Sequence, residues 1–189
     1  MSLIIKHPAV VSISKFISKE LSKPEIFLQV TGATLALHIL LLWLGPTQDS
    51  HLVMRIAVSG VLTRMWYLLF CLLDMVLAVA ISLVSSGVMS FTLKQSPDVI
   101  TGEMGTGLIV APLGVAGLRC LADLALLQII RGGSAFWGTL YSMLWTLASV
   151  LGTTSKLVVV VAAAFGLYGW SAKIGRDRRQ VVPDIKKEE

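Results

Sequence analysis

The sequence predicts an all-α fold: a polytopic transmembrane helical bundle of about four spans, preceded by an N-terminal amphipathic helix in the interfacial layer. Three observations carry that prediction. The run from Trp66 to Phe91 is apolar with one charge, Asp74, in it, and about 20 apolar residues cross a hydrocarbon core of roughly 30 Å. Hydrophobic residues make up 55% of the chain and charged residues 14%, where an ordinary soluble domain carries about 25% charged; mean hydropathy is +0.80. The net charge is +5, and the basic residues gather at the two ends, which favours a lipid bilayer with anionic headgroups over nucleic acid as the partner. A length of 189 residues leaves room for one bundle and short tails, not for a separate soluble domain.

Residues 1–25 form an amphipathic, basic segment. Val10, Ile13, Phe16, Ile17 and Leu21 share one side of a helix over Pro8 to Lys23, and Ser12, Lys15, Lys19 and Lys23 the other. Such a helix lies flat among headgroups or packs on the bundle with its lysines solvated. It has no cationic start, apolar core and cleavage site of a secretory signal peptide, so the first span is expected to direct insertion.

The membrane domain covers residues 26–172. Pro24 suits a first helical turn, and the first span, about 26–44, ends at Gly45-Pro46 with Trp43 at interface depth. Between Thr47 and Met65, His51, Arg55, Ser59 and Thr63 recur every fourth residue. That stretch reads as a second interfacial helix, or as a polar-striped span paired to the next. The second span, about 66–91, measures roughly 39 Å at 1.5 Å per residue. Thr92 to Gly105 is loop-like, with Lys94, Pro97, Asp98, Gly102 and Glu103. The third span, about 106–130, is expected to kink near Pro112, and Arg131-Gly132-Gly133-Ser134 turns tightly after it.

The last apolar region, 135–170, is too long for one helix in an ordinary bilayer. Gly152-Thr153-Thr154-Ser155-Lys156 divides it into pieces of about 16 and 14 residues, each short of a usual span. A hairpin, two short spans, or one span with a surface extension all fit. Residues 173–189 form a basic tail. Lys6, Lys15, Lys19 and Lys23 before the first span, and Lys173, Arg176, Arg178, Arg179, Lys186 and Lys187 after the last, place both ends in the cytosol by the positive-inside rule. Crossings are then even in number: four, or six if Leu52 to Phe91 is a tight hairpin.

Ionisable groups inside spans are costly, about 2.5–3.5 kcal/mol each at helix centre, and so point to partners or function. The intramembrane polar cluster is Asp74, Arg119, Asp123 and His38. Arg119 and Asp123 lie four apart and can pair locally, with Asp74 competing for Arg119 or sharing it across the bundle. Such a cluster serves as a polar clamp, a proton or ion pathway, or a headgroup site. For helix packing the sequence offers Ala78, Ser82, Ser86 and Ser90 at four-residue spacing, Gly114 and Gly117, and Gly32 with Ala36, facing either the same chain or a second copy. Trp43, Trp66, Tyr67, Trp137, Tyr168 and Trp170 fall near span ends, as interfacial rings do.

Cys71 and Cys120 lie in apolar segments without metal-ligand spacing and read as small hydrophobes. Neither metal nor other cofactor is expected, and no nucleophile elbow, phosphate loop or zinc spacing points to an enzyme. The chain contains no asparagine, hence no N-glycosylation acceptor. Lys186-Lys187-Glu188-Glu189 resembles the dilysine retrieval signal of endoplasmic-reticulum membrane proteins; an address of that kind is not an activity. The sequence therefore suggests a small membrane protein of the endoplasmic reticulum or a derived membrane, organising or shaping that membrane and assembling with itself or with complex subunits. Three alternatives stay open: a virus-encoded virion membrane protein, a small transporter or channel using intramembrane Asp and Arg, and an accessory subunit of a lipid-modifying or respiratory complex.

Overall fold

Inside lipid a backbone must satisfy its polar groups within its own segment, so long apolar runs become helices. The computed structural model describes residues 7–21, 23–44, 60–95 and 103–185, all helical apart from short connections. The helices are α1 (Pro8–Glu20), α2 (Pro24–Leu44), α3 (Val61–Gln95), α4 (Glu103–Ile130) and α5 (Ala135–Ile185). Four contain stretches long and apolar enough to cross a membrane: Pro24–Trp43, Val61–Lys94, Gly105–Ile130 and Ala135–Phe165. The chain is thus an all-helical, multi-pass bundle of four candidate spans. Val61 to Met65 belong to α3 and Gly60 lies just before it; residues 47–59 of the second interfacial helix expected over Thr47 to Met65, and Lys186 and Lys187, lie outside the described residues.

The α3–α4 pair forms the centre. Tyr67 and Cys71 of α3, Ala122, Ala125, Leu126 and Ile129 of α4, and Tyr141 of α5 make one buried cluster. Tyr67 is thereby turned inward rather than joining an interfacial belt. Leu41 of α2 packs on Phe70 and Leu77 of α3 in a second cluster. Since lipid tails are as apolar as leucine, close van der Waals fit holds these helices together.

α1 docks on this bundle. Ile17 and Leu21 are buried with Met89 of α3 and Ile109 of α4, against Val159 and Ala162 of α5. Ser90 Oγ bonds Ser18 Oγ at 2.9 Å, and Lys94 Nζ donates to the Ser18 carbonyl at 2.7 Å. Of the apolar side expected for α1, Ile13 and Phe16 instead turn outward. The far end of α4 closes on glycines: Gly132, at φ +92°, donates to the Ile129 carbonyl and Gly133 to the Gln128 carbonyl. That is the Schellman pattern, whose left-handed residue favours glycine.

α5 runs unbroken over 51 residues, so of the three forms expected for 135–170 the hairpin and the two short spans give way to one continuous helix. The supposed break satisfies itself: Thr153 and Thr154 hydroxyls bond the carbonyls of Ser149 and Val150, at 2.9 and 3.0 Å. Such back-bonding hides a hydroxyl without ending the helix. α4 likewise continues through Pro112.

Candidate functional site

Asp74 heads a stripe on α3 that continues at four-residue intervals through Ala78, Ser82, Ser86 and Ser90, all buried within the chain. At its end Ser90 meets Ser18 of α1, while Ala78 and Ser82 line the same cleft as Pro112, Ala116 and Arg119 of α4. The stripe is therefore spent on packing inside the chain rather than on a second copy. Gly114 and Gly117 do not act as seats: a Cβ at either would meet nothing within 4 Å. Gly32 is equally open. The close approach that sequence reasoning missed is Gly87, where a Cβ would lie 3.1 Å from the Phe27 ring of α2.

Arg119 reaches across to α3 rather than down its own helix. Its Nε meets Asp74 Oδ2 at 3.0 Å and its Nη2 meets Asp74 Oδ1 at 3.3 Å, a two-pronged pairing suited to the planar guanidinium. Of the two partners the sequence offers Arg119, the one across the bundle takes both prongs. Asp74 is 4% exposed, and inside lipid two opposite charges need each other more than either does in water.

The ion pair borders a cleft of about 440 Å³ to which α2, α3, α4 and α5 all contribute, a volume within the ~300–1,000 Å³ of small-molecule sites. His38, Asp74, Arg119 and Lys156 supply its ionisable groups, and Ser82, Ser85, Ser149 and Thr153 its hydroxyls. Apolar walls include Leu41, Phe70, Leu77 and Val115. An apolar groove of about 430 Å³ between α4 and α5 adjoins it, sharing Pro112, Val115 and Ser155. Of the cluster read from sequence, the cleft brings together His38, Asp74 and Arg119; Asp123 is 2% exposed and lies outside its lining. Lys156 was missed as a cleft residue. Its signal was present, a lone cation inside an apolar run, but the neighbouring glycine and hydroxyls made it look like a break.

Cys71 is buried in the α3–α4 cluster, and Cys120 Sγ touches the Met75 carbonyl at 3.9 Å. Among the described residues no three of His, Cys, Asp and Glu converge as a metal site. No protein-family model, curated protein or solved structure matches the chain.

Proposed function

We propose that this multi-pass membrane protein takes a polar or charged solute into its intramembrane cleft, as a small transporter or channel does. The carrying observation is the Asp74–Arg119 ion pair opening on a cleft that also holds His38 and Lys156. Ionisable side chains at membrane depth are expensive, and they persist where they face a pathway or a ligand. Small midplane sites of this kind, built at helix junctions, are how transporters hold substrates. On this reading the end shared by α1 and the later half of α5, with Lys15, Lys19 and Lys23, faces the cytosol.

Thiol accessibility in native membranes tests it. In a chain with Cys71 and Cys120 changed to alanine, Ser85→Cys, Ser149→Cys and Thr153→Cys should react with a charged, membrane-impermeant thiol reagent, while lipid-facing Leu124→Cys and Val160→Cys should not. Equal protection of all five would remove the reading. Reconstituted vesicles loaded with a pH-sensitive dye then ask whether Asp74→Asn abolishes a flux of protons or small ions.

Membrane organisation is the second reading, and α1 favours it. Docked through Ser18, the helix presents Ile13 and Phe16 beside Lys15 and Lys19, a pattern that inserts shallowly between anionic headgroups. Tubulation of such vesicles, lost on Phe16→Ser, would support it.

A further inference from the structure

The cleft leaves one buried ionisable group unexplained. Asp123 follows Arg119 by one turn of α4, and its Oδ2 has no hydrogen-bond partner. Arg119, one turn before it, pairs with Asp74 of α3, and both carboxyls are buried, so two carboxyls gather around a single guanidinium inside the bundle. Cys71 of α3 and Tyr141 of α5 belong to the buried cluster that includes the adjacent Ala122, and Arg119 and Cys120 precede it on α4. His38 and Lys156 lie on the cleft side.

Charge counting gives the consequence. Two carboxyls here face one guanidinium, and that guanidinium directs two nitrogens to Asp74. With both carboxyls ionised, a net negative charge would sit in the bundle interior, which is far costlier than holding a proton there. Two carboxyls gathered around one cation away from water share one proton for the same reason.

We propose that Asp123 is a proton-binding site, holding one proton between itself and Asp74. This rests on the cleft reading above and names the proton as the ion the cleft exchanges. Transfer is balanced: the Asp123 O–H bond breaks, the proton joins an Asp74 carboxylate oxygen, and Arg119 swings one turn along its own helix to the newly ionised Asp123. The guanidinium follows the negative charge, so the trio stays neutral throughout. Asp74, now a carboxylic acid bordering the cleft, exchanges its proton there for another or passes it back to Asp123, so one proton always serves the two carboxyls, and Arg119 returns to Asp74 when Asp123 again holds it.

Infrared spectroscopy of the full chain in lipid vesicles at neutral pH tests this. The wild type should show a protonated-carboxyl C=O band that shifts in D₂O. Asp123→Asn should abolish it. Asp74→Asn should abolish it too, because Arg119 then pairs with Asp123 and ionises it. Absence of the band in the wild type, or its survival in Asp123→Asn, would overturn the proposal. If the band behaves as expected while the cleft cysteines stay unreactive, the proton site stands and the solute cleft falls; reactive cysteines without the band give the reverse.

Discussion

The inner and outer helices of this bundle are all apolar enough to cross a membrane but are used in opposite ways. Of their most apolar stretches, α3 and α4 bury 33% and 39% of residues inside the chain, α2 and α5 only 6% each. Asp74, Arg119 and Asp123 all belong to the inner pair, while the outer helices lend the cleft His38 and Lys156. In lipid, apolar character therefore does not report burial. Small and polar residues do, because only they need protein rather than lipid as a neighbour.

The sharpest way to break this contrast is to strand the carboxylates. Arg119→Leu leaves Asp74 and Asp123 without their cation and should cost about 3–5 kcal/mol, read as stability in bicelles by steric trapping. On the outer face, Leu42→Ala, at a position 69% exposed, should stay within about 0.5 kcal/mol. Equal losses would erase the distinction. Packing gives the next contrast: Ser86→Leu, at a position 0% exposed, should cost about 1–3 kcal/mol by forcing α4 away, whereas Gly114→Leu, with open space around it, should be tolerated.

Smaller effects sharpen the edges of the picture. Gly133→Ala would bring a Cβ to 2.6 Å from the Gln128 carbonyl oxygen, so the α4–α5 turn should loosen by about 1 kcal/mol or more, visible as faster amide exchange at Gly132. Ser18→Ala removes the hydroxyl pair with Ser90 and should cost about 0.6 kcal/mol, read as protease access to α1. Finally, the Lys23 ammonium, 2.5 Å from Glu20, holds that carboxyl below the usual glutamate range. Its help to the end of α1 is therefore present above the ordinary glutamate value and disappears as pH falls through the lowered one. A spin label at Lys19→Cys should grow more mobile in that acid window, and Glu20→Gln should remove the change.

Much of this fold was legible in one dimension. Span number and type follow from apolar length, and the turn at Gly132-Gly133 from its glycines. The α5 region misled because glycine and threonine break helices in water, while in lipid the Thr153 and Thr154 hydroxyls turn back on their own helix. The choice between the two partners of Arg119 stayed open for a different reason. Asp123 is close in sequence, but Asp74 is selected by the register of α3 against α4, which depends on how the Ala78 to Ser90 stripe seats. Glycines were similarly ambiguous: Gly87 faces a ring and Gly114 faces outward, a difference of helix rotation that no spacing rule encodes.

A double-mutant cycle on Asp74→Asn and Arg119→Gln, measured as bundle stability in bicelles, tests the ion pair on which the clamp and cleft both depend. The structure predicts a coupling of about 1–3 kcal/mol between the two positions. Additivity within about 0.5 kcal/mol would mean that the two charges do not meet inside the membrane.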